Sequence, residues 1–206
     1  IPHPPGYPLW IIVNHWALKV IPGTDPAGQL VILSCLCAAL AGSLVAYATI
    51  NLTSKFLGDA WKKNALAGIT AGLFCGTAPL IWSQATIVEV YSLLGLVIIS
   101  VLIMVLRWHQ EQNNQRKTSL SLIGLLIGLG TGIHLTILLL IPAFMPLFFK
   151  QIKVKDATKF IFCVFAGMNI FWVLPFFASA HPAISWGDAT SFNGFLWLIS
   201  GTPYQE

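Results

Sequence analysis

Charge is what this chain has least of. Of its 206 residues only 9% are Asp, Glu, Lys or Arg, against 56% hydrophobic, and the mean hydropathy is +0.78. So few charges do not clothe the surface of a water-soluble domain, which excludes a soluble enzyme and leaves an integral membrane protein. The net charge of +4 does not point to nucleic acid, because the 11 Lys and Arg residues lie in short loops between apolar runs rather than in one patch. They read as topology signals. Cysteine is scarce too. Cys35, Cys37, Cys75 and Cys163 all fall inside apolar runs, with neither metal-ligand spacing nor a disulfide framework. P-loop, dinucleotide fingerprint, nucleophile elbow, HxxxH and HExxH are all missing. The opening residues lack the basic and apolar stretches of a signal peptide. Starting at Ile1, the chain reads as the N-terminal part of a longer membrane protein, without its first helix and its C-terminal remainder.

Apolar runs and their breaks supply the organisation. Pro2, Pro4, Pro5 and Pro8 force an extended turn over residues 1–8, so no helix is expected before Leu9. Residues 9–21 are apolar but too short for a crossing, which takes about 20 residues, and should lie in the interface or re-enter. After the Pro/Gly-rich break at 21–28, crossings are expected at 29–51, 65–82 and 88–107. Residues 119–149 are long for one crossing and short for two. The basic loops on either side, Arg107 to Lys117 and Lys150 to Lys159, require an even number of crossings or a re-entrant hairpin, broken at Gly128 to His134. A last crossing at 158–178 leads to a tail. The expected fold is an all-α polytopic bundle of about six crossings plus one interfacial helix, one transmembrane domain over residues 1–206. Every Lys and Arg except Lys19 then lies on the cytoplasmic side.

This topology brings four polar motifs to the other side: His3-Pro4-Pro5-Gly6-Tyr7, Trp82 to Leu93, Gly130 to His134, and Ser185 to Asp188. Glu89 stands where a membrane helix begins. An acid near the apolar layer is a site hypothesis by default, while Thr86-x-x-Glu89 also reads as a helix capping box. Ser83, Gln84 and Tyr91 are placed to share its hydrogen bonds, and Trp82 suits the interfacial aromatic belt. His134 follows a Gly-rich break, either as a ligand-facing imidazole or as a helix-start histidine bonded to a neighbour. Asp188 beside Trp186 is either a ligand or an ordinary turn residue. A metal held by His3, His134, Glu89 and Asp188 is conceivable without supporting spacing, so a divalent cation is compatible with the sequence and not required by it. Gly68, Gly72, Gly76, Gly124, Gly128 and Gly132 most simply allow close helix packing.

Taken together, HPPGYPLW at 3–10, WSQATIVEVYSL at 82–93, GLGTGIHLTILLLIPA at 128–143 and SWGDATSFNGFLWLISGTPYQ at 185–205 resemble successive signatures of one group. It is the bacterial and eukaryotic membrane family, first described only as a domain of unknown function, that is related to transmembrane protein O-mannosyltransferases within the GT-C glycosyltransferase superfamily. One departure is Ile133, where that family commonly has Asn before the His. The resemblance implies an inverting enzyme that moves a sugar, mannose among the options, from a polyprenyl-phosphate carrier to an acceptor hydroxyl on protein or glycan. The bilayer, the lipid-linked donor and the acceptor are the implied partners. It implies catalysis outside the cytoplasm, with a bacterial inner membrane as the expected setting. The family's main catalytic acid belongs to a loop before the HPPG motif. Glu89 and His134 take supporting catalytic roles, and His3, Pro4, Pro5, Gly6, Tyr7, Gln84, Tyr91, Trp186 and Asp188 are the implied substrate-binding set. Two readings from other classes stand beside it. A transporter also uses broken helices and membrane-embedded acids, and a non-catalytic assembly subunit also exposes small-residue helix faces.

Overall fold

The computed structural model describes residues 4–58, 60–110, 113–149, 152–182 and 185–202, and every regular element among them is helical. The chain divides into two compact units, one of residues 14–116 and one of residues 1–13 with 117–206. Helix α1 (Pro8–Val20) runs across the sequence boundary between them. It starts one residue earlier than the proline count suggests, because Pro8 occupies the first helical position, where its missing N–H costs nothing.

In the unit of residues 14–116, α2 (Pro26–Leu57) is the long element. The Asp25 carboxylate accepts from the amides of Ala27 (3.1 Å) and Gly28 (3.0 Å), and Pro26 supplies the first turn. Gln29 donates from Nε2 to the carbonyls of Leu18 and Ile21, satisfying the end of α1 from the start of α2. Helix α3 (Trp61–Thr77) packs on α2 through small residues. A Cβ built on Gly68 would lie 2.8 Å from the Ala46 carbonyl oxygen, and one on Gly72 2.8 Å from that of Gly42. Gly76 differs, with nothing within 4 Å. The packing expectation therefore holds for Gly68 and Gly72 and not for Gly76.

Where the sequence suggests one crossing at 65–82, the structure has two helices. Helix α4 (Pro79–Ala85) leaves α3 at an angle of 62°. Ala78 between them is extended (φ −57°, ψ 132°), because the ring of Pro79 disfavours the helical region for the residue before it. Helix α5 (Tyr91–Gln110) then packs back on α2.

In the other unit, α6 (Asn113–Gly130) ends at the expected break. A 3₁₀ turn (Leu135–Leu139) leads into α7 (Leu140–Phe149). Helix α8 (Val154–Met168), a second 3₁₀ turn (Asn169–Val173) and α9 (Leu174–Ser179) form a long apolar stretch, and α10 (Phe192–Ser200) follows. Helices α6 and α8 approach closely: a Cβ on Gly128 would lie 2.0 Å from the Val164 carbonyl oxygen, and one on Gly124 2.7 Å from that of Phe160. Small residues at membrane helix contacts let backbones meet in this way. Phe171, Leu174, Ala178, Ala189, Phe195 and Leu198 form a buried core, with Ile11 of α1 against it.

Among the described residues three helical stretches are long and apolar enough to cross a membrane: Pro26–Phe56, Tyr91–His109 and Val154–Ser179. The bent pair α3 and α4 makes a fourth if it counts as one span. The apolar stretches beside the break, Thr118–Gly130 and Leu135–Leu147, are each shorter than an ordinary crossing. An all-helical membrane protein is thus what the described residues build, with α3 and α4 bent apart where one crossing is expected and three or four spans where six are expected.

Candidate functional site

The site begins with a sharp turn. Pro4, Gly6, Tyr7 and Pro8 are buried and Pro5 is half-buried. Gly6 has φ +92°, where a side chain is strained, and a Cβ there would meet Leu174 Cδ1 at 3.0 Å and Leu198 Cδ2 at 3.3 Å. The turn therefore seats on α9 and α10. It delivers the first amides of α1 to the break after α6: the Gly132 carbonyl accepts from Leu9 (2.9 Å) and Trp10 (3.2 Å). Those are orphan donors of a helix start, satisfied by a carbonyl that the break has released from its own helix.

Every amide of the break from Thr131 to His134 donates to a carbonyl of the last turns of α6. Thr131 is completely buried and donates from Oγ1 to the Gly128 carbonyl at 2.6 Å. The amides of Ile133 and His134 both donate to the Gly130 carbonyl, at 2.9 and 3.0 Å. Non-helical backbone at membrane depth is tolerated only when it is satisfied this way. His134 then caps the following 3₁₀ turn, its Nδ1 accepting from the Thr136 amide at 3.3 Å and lying 2.8 Å from Thr136 Oγ1. An Nδ1 that accepts puts the proton of the neutral ring on Nε2. The imidazole stacks on Tyr7, with ring centroids 5.9 Å apart and planes 13° from parallel. His134 is thus both the helix-start histidine and a ring aligned by the HPPGY turn.

The Ser185 to Asp188 motif lies in the same unit as an exposed turn ahead of α10. Asp188 accepts at Oδ1 from the hydroxyl and the amide (3.1 Å) of Thr190, which hold its carboxyl below the usual range. That is the turn reading of Asp188 in geometric form. Trp186 is 47% exposed beside it. Ser191 accepts from the Gly194 amide at 3.1 Å and caps α10.

Glu89 belongs to the other unit, in an exposed turn two residues ahead of α5. The capping-box expectation fails, because α5 starts at Tyr91, beyond the glutamate. Thr86 instead closes α4, its hydroxyl donating to the carbonyls of Ser83 (3.1 Å) and Trp82 (3.3 Å). The Ser83 hydroxyl is likewise spent on the Leu80 carbonyl at 2.8 Å, so it does not serve Glu89. Ser92 donates to the Gln84 carbonyl at 3.0 Å and ties α5 to α4. Gln84 Oε1 is buried without a partner, and Gln84, Tyr91 and Ser92 line a cavity of about 420 Å³ beside Ala38 of α2.

His3 lies outside the described residues. Among the described residues no three His, Cys, Asp or Glu side chains gather as ligands for a metal. Of the four motifs, the structure brings the HPPGY turn, the break at His134 and the α10 segment into one unit. The docking residues Leu9, Leu174 and Leu198 were not singled out from sequence, and Gly132 was singled out only as a glycine of the break and of helix packing. Their only local signal is the Gly6 that precedes Tyr7.

Residues 1–158 match the model of the protein O-mannosyl-transferase TMEM260 N-terminal domain. The chain belongs to this family. Among curated relatives, the mouse protein O-mannosyl-transferase TMEM260 is 26% identical over 204 residues, covering 95% of this chain and 28% of the relative. The Dictyostelium discoideum protein O-mannosyl-transferase tmem260 is 24% identical over 217 residues, covering 95% of this chain and 25% of the relative. The chain thus spans about a quarter of the length of these relatives. No solved structure matches. Both TMEM260 relatives are eukaryotic, and they lend no support to a bacterial inner membrane. The TMEM260 match ends within α8 and so includes both Glu89 and His134.

Proposed function

We propose that this chain is the membrane-embedded part of a glycosyltransferase of the GT-C kind. It transfers a sugar, mannose by the name its relatives carry, from a polyprenyl-phosphate carrier to an acceptor hydroxyl on the extracytoplasmic face. The observation that carries the reading is the match of residues 1–158 to an O-mannosyl-transferase N-terminal domain. The order of the motifs and the hydrogen-bonded break beside His134 support it.

In the proposed reaction the acceptor oxygen bonds to the anomeric carbon with inversion as the bond to the carrier phosphate breaks. The phosphate leaves with the electron pair, and the acceptor proton passes to a base. Charge grows on the leaving phosphate, so a positioned donor there lowers the barrier. His134, carrying its proton on Nε2 and aligned by Tyr7 and Thr136, is assigned that role. Glu89 is assigned to positioning the acceptor or an ion. The proposed topology completes the bundle to about six crossings, with the break at Gly130 to His134 opening to the outer side.

The test is transfer from a radiolabelled polyprenyl-phosphate mannose donor in membranes holding matched amounts of wild type, Glu89→Gln and His134→Ala. Loss of a transition-state donor lowers the rate by about 10²–10³-fold, and a fall of that size is expected for His134→Ala. Glu89→Gln is expected to fall as well. Full activity in both variants would remove the site assignment and keep the enzyme class. No transfer by wild type across a panel of donors would move the transporter reading ahead.

A further inference from the structure

The ends of α2 and α5 meet around a cavity of about 120 Å³ that the transfer reading does not use. Lys55, in the last turn of α2, and Arg107, in the last turn of α5, both line it, and no Asp or Glu does among the described residues. Arg107 is held in place. Its Nη2 donates to the Tyr47 hydroxyl at 2.5 Å, and its guanidinium carbon lies 5.6 Å from the centroid of the same ring. The Tyr47 hydroxyl, having accepted, keeps its own proton to donate. Asn51 adds an amide that spends one N–H on the Tyr47 carbonyl at 2.8 Å and has a second. Leu52, Ile103 and Leu106 form the apolar wall.

Two cations from different helices, two neutral donors and an apolar wall, all on stretches able to cross a membrane, suit an amphiphile with an anionic head. The helix-end reading accounts for the sign of the charges, since Lys and Arg interact favourably with helix C-termini. It does not account for both lining one cavity in which the guanidinium is clamped by Tyr47. The end of the bundle matters as well. Lys55, Lys62, Lys63 and Arg107 make it the basic one, which the charge rule assigns to the cytoplasm, where the leaflet is rich in anionic lipid.

We propose that this cavity binds the phosphate of an anionic phospholipid between Arg107 and Lys55, with an acyl chain along Leu52, Ile103 and Leu106. The proposal is independent of the sugar-transfer reading.

The test is lipid retention by the purified protein in native mass spectrometry. Phosphatidylserine is compared with phosphatidylcholine of the same chains, and inorganic phosphate forms a third arm. Wild type is expected to prefer phosphatidylserine. Each of Arg107→Gln and Lys55→Gln should weaken that lipid about fivefold and the pair about thirtyfold, as expected for single cations near a membrane surface. Phosphatidylcholine should not change. Tyr47→Phe keeps both charges and loses only the clamp, so a weaker phosphatidylserine signal there supports a built site. Lys62→Gln with Lys63→Gln should leave the preference intact. An equal loss in that control would mean diffuse attraction and overturn the site. Wild-type preference in the folded Arg107/Lys55 double variant would overturn it too, and should the double variant not fold, the single variants and Tyr47→Phe decide. Saturation by inorganic phosphate, with no preference between the lipids, would overturn the lipid assignment.

Discussion

The rings of Tyr7 and His134 lie nearly parallel, their planes 13° apart, although one lies in a turn before α1 and the other just after the break that ends α6. The first motif of the chain thereby orients the only titratable ring of the third. Tyr7 is 8% exposed. Truncating a buried aromatic to alanine costs about 3–5 kcal/mol. Tyr7→Ala should therefore lower the melting temperature and transfer together, and Tyr7→Phe, which keeps the ring against His134, should fall less in both than Tyr7→Ala. A Tyr7→Ala variant that melts and transfers like wild type would show that the stack does neither job.

Two helical glycines, one at a close helix contact and one in open space, should respond in opposite directions. A Cβ at Gly128 would lie 2.0 Å from the Val164 backbone carbonyl, so Gly128→Ala must push α6 from α8. Overpacking of this kind costs about 1–3 kcal/mol. At Gly76 nothing lies within 4 Å, and the residue is helical, so Gly76→Ala should stabilise by about 0.5–1 kcal/mol. Thermal unfolding of the two variants side by side checks the sign of each.

Asp25 supplies the two side-chain hydrogen bonds at the start of α2. Asp25→Ala should cost about 1 kcal/mol, and Asp25→Ser should recover most of it. Hydrogen exchange at the Ala27 and Gly28 amides reports the loss locally. Unchanged protection there would show that water replaces the cap at no cost.

The Asp188 carboxyl is held below its ordinary range by the hydroxyl and then the amide of Thr190. With a folded-state value below the unfolded one, the turn gains from ionised Asp188 above the unfolded value, and that gain is lost as pH falls through the folded value. NMR titration should place Asp188 below an ordinary aspartate, and Thr190→Val, which removes the hydroxyl, should move it upward. No movement on that substitution would assign the shift elsewhere.

Some of this architecture was legible one residue at a time. Low charge and long apolar runs mark α2, α5 and the stretch from α8 to α9 as spans, because transfer into lipid depends on composition summed along a helix. The break at Gly130 to His134 was legible from its glycines and from the basic loops on either side. Other features were not. The bend at Ala78 turns on one proline in a run that remains apolar throughout, so hydropathy alone passes over it. The capping box at Thr86 and Glu89 has the right spacing, but the helix starts beyond it, at Tyr91, and spacing cannot say where a helix starts.

Residue order alone marks a membrane protein, three of its apolar spans and its family. Those properties are carried by composition and by the order of short motifs. Tertiary structure alone decided that Gly132 receives the amides of Leu9 and Trp10, that Gly6 seats against Leu174 and Leu198, and that Tyr7 aligns His134. Each joins residues far apart in the chain through a single carbonyl, a missing Cβ or a ring plane. Such contacts exist only once the helices that carry them have packed.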